Sequence, residues 1–188
     1  MIKSRTWCGC TALMCIPSVV SAFDVSVVDV DYQDGAYHVN LVVDLEANAE
    51  RVRDIILRHQ ELKGLSPTIV ESDLLTHVSA DPVRIRVVLR PCIWIFCKSL
   101  VKVSDVTTES DGTIVYHAVP EQSSFQYARE SIRIMSWGGT RTRFRYLAEL
   151  KLKRSIFPLI GAGIVKRKMR QGLLSTARQV EQAARGDK

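Results

Sequence analysis

The fold of this 188-residue chain is decided by the stretch TRTRFRYLAELKLK, residues 140–153. Polar and apolar side chains alternate along it. Because successive strand residues point to opposite faces, the pattern predicts one long strand with a dry face and a wet face. The dry face carries Thr142, Phe144, Tyr146, Ala148, Leu150 and Leu152. The wet face carries the cations Arg141, Arg143, Arg145, Lys151 and Lys153. Such a strand requires a cover over its dry face.

A helix that supplies this cover is predicted after the strand, and it continues to about Arg185. Apolar residues recur in it at steps of three and four, which places them on one stripe of a helix. The stripe consists of Ala162, Val165, Met169, Leu173, Ala177, Val180 and Ala184. The strand and the helix enclose either a filled core or a cavity, and the function depends on which of the two is present.

The preceding part of the chain predicts antiparallel strands and one early helix. Runs rich in β-branched and aromatic residues predict strands at 23–32, 37–45, 68–78, 83–90, 93–106, 113–119 and 127–137. Asp34 and Gly35 are typical of a tight hairpin turn, and Asn48 suits the N-cap of a helix over 49–62. Consecutive strands joined by short turns indicate an antiparallel sheet in an α+β fold.

This order of elements resembles the START-like, or SRPBCC, superfamily, and within it the polyketide cyclase and coenzyme Q-binding branch. The resemblance rests on the strand 39–45, the helix start EANAERV at 46–52, the helix exit LKGLSP at 62–67, and the final strand and helix. It implies a helix-grip fold, in which a curved antiparallel sheet wraps around a long C-terminal helix, with a short helix after the opening strands. It also implies a deep apolar pocket under the last helix.

The first 22 residues predict a secretory signal peptide. Lys3 and Arg5 supply positive charge, a mostly apolar run follows, and residues 20–22 provide small side chains for cleavage. We therefore expect cleavage near Ala22, a periplasmic or secreted location, and one ligand-binding domain over residues 23–188. The alternative is an uncleaved anchor, but the 17 residues that follow Arg5 contain Pro17 and are short against the ~20 that a membrane span needs.

The expected mature chain keeps two of the five cysteines, Cys92 and Cys97. Exported proteins usually pair such cysteines. On one continuous strand their Cα atoms would lie about 16 Å apart, beyond the ~7 Å that a disulfide allows. A bridge therefore requires a turn, with the apolar residues 93–96 at its tip. The alternative is two free thiols beside a buried strand.

Positive charge is concentrated near the C-terminus. The whole chain has a net charge of +6, and residues 141–170 hold ten basic residues against the single acid Glu149. Such a field favours anionic partners, and export favours lipid head groups or an acidic protein over nucleic acid. Ile160 and Ile164 project beside these cations on the predicted helix, as in a membrane-surface contact. The predicted docking set is Arg141, Arg143, Arg145, Lys166, Arg167, Lys168 and Arg170. The alternative is a face that only contacts solvent.

The sequence contains no recognisable catalytic or metal-binding motif. The four histidines lack metal-ligand spacing, and there is no nucleophile elbow, phosphate-binding loop or dinucleotide fingerprint. We therefore expect neither a metal nor a cofactor. The candidate acid/base residues are Tyr116, His117 and Glu130, and a shift of one residue in strand register would exchange those that face inward.

These patterns together predict an exported START-like protein that binds a lipid or other hydrophobic small molecule and docks on anionic membrane. The pocket is predicted to be lined by Phe144, Tyr146, Leu150, Leu152, Met169 and Leu173. One alternative is a cyclase- or hydrolase-type enzyme that uses the same pocket. Another is a protein-interaction module with a filled core.

Overall fold

The computed structural model describes residues 23–154 and 161–186. The strands in this part of the chain are β1 Asp24–Gln33, β2 Ala36–Leu45, β3 Ile69–Leu74, β4 Val83–Leu89, β5 Cys92–Ile93, β6 Phe96–Cys97, β7 Leu100–Thr108, β8 Ile114–Ala118, β9 Phe125–Trp137 and β10 Arg141–Leu152. The α-helices are α1 Ala49–Leu57 and α2 Ala162–Arg185. A 3₁₀ segment at His59–Gly64 follows α1, and a second one precedes β9.

Eight strands form one antiparallel sheet in the order β1-β2-β10-β9-β8-β7-β4-β3. The first and last parts of the chain meet within this sheet, because β10 lies third from the β1 edge and pairs with both β2 and β9. The long helix α2 contacts β1, β2 and α1. This arrangement confirms the predicted helix-grip α+β fold, with a curved sheet, a long C-terminal helix and a short helix after the opening strands.

Local sequence signals explain the element boundaries. Asp34 and Gly35 adopt φ angles of 54° and 80° in the turn between β1 and β2. The Asn48 side chain accepts hydrogen bonds from the first backbone N–H groups of α1, at 2.8 Å from Glu50. The helix α2 ends at Gly186, which adopts the left-handed conformation that favours glycine. The predicted helix 49–62 was too long, since α1 ends at Leu57 and a tighter 3₁₀ segment continues the chain.

The main core lies between the concave face of the sheet and the C-terminal half of α2. Leu41, Val43 and Leu45 of β2 are almost fully buried there and pack with Ala177 and Val180 of α2. Full burial of each such Leu or Val stabilises the fold by about 1.5–3 kcal/mol. The sheet and the C-terminal half of α2 are therefore fixed by close packing. Toward the N-terminal half of α2, the packing is less complete.

The predicted continuous strand over 93–106 was wrong. The chain instead forms the two-stranded hairpin of β5 and β6, and β7 begins only at Leu100. The Cys92–Cys97 disulfide closes this hairpin, with 4.1 Å between the two Cα atoms. The structure thus contains the turn that a bridge requires. Among residues 23–154 and 161–186, no helix combines the length and the hydropathy that crossing a membrane would require.

Candidate functional site

A cavity of about 680 Å³ lies between the concave face of the sheet and α2. Small-molecule sites in proteins typically enclose about 300–1,000 Å³. The lining is mostly apolar, because the inward positions of several strands and the stripe of α2 carry large aliphatic or aromatic side chains. Examples from six elements are Leu41, Ile56, Ile85, Ile132, Phe144 and Val165. The protein's own side chains therefore fill this space only in part.

The structure places all six residues of the predicted pocket in the lining of this cavity. Phe144, Tyr146, Leu150 and Leu152 lie on β10, whose even-numbered residues face inward as the alternation predicts. Met169 lies on the stripe of α2 and faces them. That a ligand occupies the cavity stays a prediction.

Four neighbouring strands each contribute one polar side chain to the cavity lining. These residues are Tyr146 of β10, Glu130 of β9, Tyr116 of β8 and Lys102 of β7. Tyr116 lies directly opposite Glu130 in the pairing of β8 with β9. We call these four residues the polar cluster.

Glu130 is the centre of the polar cluster. The Lys102 Nζ donates a hydrogen bond to Glu130 Oε1, and the Tyr146 hydroxyl donates to Glu130 Oε2 at 2.9 Å. The side chains of Lys102 and Glu130 are only 12% and 11% exposed. An ion pair is therefore enclosed in a largely apolar cavity.

The two tyrosines of the polar cluster stay protonated at neutral pH. Burial raises the pKa of Tyr116 well above its ordinary value, and the nearby negative charge of Glu130 raises it further. The pKa of Tyr146 is raised by burial first and then by its interactions with Glu130. Both hydroxyls are therefore neutral groups that can donate a hydrogen bond, and neither acts as a base near pH 7.

Lys102 is not among the site residues predicted from the sequence. This residue shares the inward face of β7 with Leu100, Ser104 and Val106, since these positions have the same parity on the strand. A lysine on a buried face is rare unless it is paired. That signal was available in the sequence, but it depends on knowing where β7 begins, and the predicted strand 93–106 obscured this boundary.

The rim of the cavity lies where α2 begins and the disulfide hairpin approaches it. Solvent-exposed residues of the lining mark this rim: Pro67, Arg90, Cys92, Lys168 and Gln171. Ile93 of the hairpin is 2% exposed and packs with Val165 of α2. The hairpin is thus anchored on the N-terminal half of α2, at the edge of the cavity opening.

The tip of the hairpin points its apolar side chains into solvent. Trp94 is 71% exposed, Ile95 87% and Phe96 57%. Trp94 adopts a φ angle of 54°, which is unusual for a bulky residue and turns the chain sharply between β5 and β6. We call residues 94–96 the hairpin tip.

The architecture matches solved structures of low sequence identity. A START superfamily protein from Mycobacterium smegmatis superposes with a TM-score of 0.63 at 19% identity, covering 79% of this chain and 97% of that one. A STAR-related lipid transfer protein from Xanthomonas axonopodis gives 0.65 at 14%, covering 87% and 98%. The chain has the START-like fold. An aromatase/cyclase from Streptomyces sp. R1128 shares this fold, with a TM-score of 0.61 at 12% identity and coverage of 80% and 94%. No protein-family model and no curated protein matches the sequence.

Within the START-like fold, two of the three candidate acid/base residues lie in the cavity. Tyr116 and Glu130 belong to the polar cluster, whereas His117 is exposed on the opposite face of the sheet, beside Asp105 of β7. His117 therefore lies outside the candidate site, because neighbouring strand residues point in opposite directions. Among the described residues, no group of three His, Cys, Asp or Glu side chains is arranged to hold a metal ion.

The seven residues of the predicted docking set do not form one surface on the START-like fold. Arg141 contacts Glu46 at 3.2 Å, and Glu46 also contacts Arg185 at the C-terminal end of α2. Arg143 forms two hydrogen bonds with Asp44 at 2.8 and 2.9 Å. The three cations on β10 lie on its outer face, and Arg141 is linked through Glu46 to the C-terminal end of α2, away from the cations at the start of that helix.

The four docking residues on α2 lie at its N-terminal end, and two of them are paired. Lys166 contacts Asp31 at 3.1 Å and Arg170 contacts Asp29 at 2.9 Å, both on β1. Arg167 and Lys168 are exposed, and no acid of the described ranges lies within ion-pair distance of them. Of the four docking residues on α2, Arg167 and Lys168 are therefore the two whose charge is not offset by an acid on β1.

Ile160 and Ile164 were both predicted to lie beside the cations at the start of the last helix. Ile160 lies outside the described residues. Ile164 is half-buried and packs against the cluster of Ile93 and Val165, so the hairpin covers part of it. Exposed apolar surface at this end of the molecule is supplied by the hairpin tip instead.

Proposed function

We propose that this chain is an exported START-like protein that binds a lipid or other hydrophobic small molecule in the cavity under α2. Residues 1–22 act as the signal peptide, and residues 23–188 form the ligand-binding domain. The observation that carries the proposal is the cavity of about 680 Å³ with a mostly apolar lining. The START-like fold adds support, since a structural neighbour is named a lipid transfer protein.

Export is supported by the Cys92–Cys97 disulfide. Disulfides persist in oxidising compartments such as the periplasm and the extracellular space, and they are rare where thiols are kept reduced. Mass spectrometry of the protein purified from its native compartment tests this proposal directly. We expect a mature chain that begins near Phe23 and lacks two protons relative to the reduced form.

Ligand binding is tested by native mass spectrometry of the purified mature chain, followed by organic extraction. We expect a hydrophobic molecule to co-purify. The variant Met169→Trp narrows the cavity, because Met169 lines it, and should lower occupancy. The matched control is Met135→Trp on the outer face of β9, which should retain the molecule. Repeated recovery of empty protein that takes up no lipid would refute the proposal.

Docking on anionic membrane is the second part of the proposed function. The hairpin tip presents a tryptophan, an isoleucine and a phenylalanine to solvent, next to the exposed cations Arg167 and Lys168. Apolar and aromatic side chains enter the lipid interface, and each nearby cation attracts anionic lipid by about 1 kcal/mol. The same end of the molecule carries the rim of the cavity. A docked molecule would therefore present its opening to the bilayer.

Vesicle binding tests the docking proposal. In a Trp137→Phe background, Trp94 is the remaining tryptophan of residues 23–188, so a blue shift of its emission reports insertion. We expect the shift with vesicles that contain phosphatidylglycerol and a weaker one with phosphatidylcholine alone. Ile95→Asp should abolish it. Neutralising Arg167 and Lys168 should weaken it, while neutralising Arg141 and Arg145 at the far end should leave it unchanged. Equal effects of the two neutralised pairs would contradict the proposed orientation.

A cyclase- or hydrolase-type activity is the second candidate function. The observation in its favour is that Tyr116 and Glu130 lie side by side in the cavity, and that a structural neighbour is named an aromatase/cyclase. Recovery of a chemically altered molecule from the cavity would support it, whereas recovery of one unchanged molecule supports the carrier. The interaction-module alternative requires a filled core, and the cavity counts against it.

A further inference from the structure

The enclosed ion pair is the feature of the cavity that the binding of an apolar molecule does not explain. Removing two charges from water costs several kcal/mol per ion, and apolar residues of the same size are often at least as stabilising. The fold does not need a charge here, since the inward positions around Lys102 and Glu130 are mostly apolar. A ligand group that binds to these charges would explain why they are present.

Lys102 retains hydrogen-bonding capacity inside the cavity. An ammonium group has three N–H donors, and among the residues that the structure describes only Glu130 accepts one of them. The Lys102 side chain is 12% exposed and lines the cavity. Two donors thus remain for an acceptor that enters the cavity.

Glu130 can also accept further hydrogen bonds. Each carboxylate oxygen has two lone pairs, and the described partners are Lys102 at Oε1 and the Tyr146 hydroxyl at Oε2. One further donor per oxygen therefore fits. A ligand group that accepts a hydrogen bond from Lys102 and donates one to Glu130 would satisfy both residues at the same time.

A neutral hydroxyl is the group that matches this pair. It carries one donor and two acceptor lone pairs. A carboxylate would lie against the negative charge of Glu130, and an ammonium would lie against Lys102, so each would meet repulsion in a site of low dielectric. The other two members of the polar cluster, Tyr116 and Tyr146, are uncharged and do not alter this balance.

We propose that the cavity selects apolar molecules that carry a hydroxyl group, and that this hydroxyl binds between Lys102 and Glu130. This inference rests on the proposed function, since it names the ligand class of the same cavity. The remaining lining is apolar and contacts the body of the molecule. Recognition of the polar group is thus confined to one place in the cavity.

The test compares three fluorescent probes of one shape: pyrene, 1-hydroxypyrene and 1-pyrenecarboxylate. Mature protein is titrated into a trace of each probe at slightly acidic pH, where the hydroxyl is protonated, and binding is followed by fluorescence anisotropy. We expect 1-hydroxypyrene to bind about tenfold more tightly than pyrene, since hydrogen bonds to charged groups contribute more, net of lost hydration, than those between neutral groups. The carboxylate should bind more weakly than pyrene.

A triple variant tests whether the preference for 1-hydroxypyrene over pyrene depends on Lys102 and Glu130. Lys102→Met, Glu130→Leu and Tyr146→Phe together remove the charges without leaving an unpaired group, and 1-hydroxypyrene should then bind no more tightly than pyrene. The matched control is Arg84→Met with Asp105→Asn, which removes an ion pair from β4 and β7 that lies outside the cavity lining. The control should keep the tenfold preference.

The outcomes separate this inference from the proposed function. If pyrene and 1-hydroxypyrene bind equally well to the natural protein, the inference is wrong while the proposed function stands. A preference that survives in the triple variant, or a carboxylate that binds more tightly than pyrene, would also overturn it. If none of the three probes binds, the inference is wrong, and the proposed function fails as well only if organic extraction and lipid uptake also find the protein empty.

Discussion

Removal of Glu130 alone should destabilise the protein more than removal of the whole ion pair. In Glu130→Leu the Lys102 ammonium loses its carboxylate and the Tyr146 hydroxyl loses its acceptor. Breaking a buried pair by deleting one partner costs about 3–5 kcal/mol, because an uncompensated charge remains. We expect this range for Glu130→Leu, since both side chains are nearly nine-tenths buried. The triple variant of Lys102, Glu130 and Tyr146 should stay within about 1 kcal/mol of the natural protein or exceed it.

Urea unfolding under oxidising conditions, followed by circular dichroism, measures this difference. With a slope of about 2 kcal/mol per molar urea, a loss of 3–5 kcal/mol lowers the midpoint by about 2 M. The control is Asp105→Leu, which breaks the Arg84 pair on the outer face, where the side chains are 37% and 27% exposed. That change should cost about 1 kcal/mol. A loss of stability in Glu130→Leu no larger than that of the control, or a triple variant as unstable as the single one, would contradict this prediction.

Three further predictions concern residues outside the polar cluster that stabilise the sheet and the hairpin. A hydrogen bond from Arg143 lowers the pKa of Asp44 below its ordinary 3.8. The stability that this carboxylate contributes is therefore present above 3.8 and is lost as the pH falls through the lower folded-state pKa. Asp44→Asn should be less stable than the natural protein at neutral pH, and the difference between their urea midpoints should shrink as the pH falls below 3.8. Replacing Cys92 and Cys97 by serine opens a short loop and should lower the free energy of unfolding by about 2 kcal/mol, and it should also weaken vesicle binding by releasing the hairpin tip. Thr142→Val removes a buried hydroxyl that donates to a backbone carbonyl at 2.6 Å, and should cost about 1–3 kcal/mol in the same urea assay.

The sheet and the last helix could be predicted because their patterns are long and regular. The alternation on β10 extends over 12 residues, and the stripe of α2 extends over a helix of 24. The hairpin of β5 and β6 could not be predicted from propensity, because its turn contains no glycine, proline or asparagine. It places Trp94 at a positive φ instead, which a bulky residue rarely adopts. The geometry of the Cys92–Cys97 bridge was the only sequence argument for a turn there.

The apolar part of the candidate site followed from the same patterns, and the polar part did not. Phe144 and Tyr146 were predicted to face inward because they lie on the dry face of one strand. The polar cluster depends on the pairing of four strands, which places Tyr116 opposite Glu130. Side chains from different strands meet only when their register is known, and single-sequence patterns do not fix register between distant strands. The contact of Lys102 with Glu130 was hidden for this reason, and Lys102 itself was hidden by the wrong start of β7.

The basic residues near the C-terminus are close together in the sequence but do not form one basic surface on the folded protein. Residues 141–170 are strongly basic in sequence, but β10 enters the sheet beside the end of α2, whereas Lys166 lies at its start. A helix rises 1.5 Å per residue, so Lys166 and Arg185 are about 28 Å apart, more than three times the Debye length of about 8 Å at physiological salt. The two groups of cations therefore act separately. At the cavity end, Lys166 and Arg170 pair with β1, so within the described residues Arg167 and Lys168 are the unpaired cations of the docking set there. These two charges contribute about 2 kcal/mol, which is too little for stable docking without the apolar hairpin tip.

Raising the salt concentration should therefore weaken vesicle binding only modestly, whereas Ile95→Asp should abolish it. A complete loss of binding in high salt would show that charge, and not the hairpin tip, dominates docking.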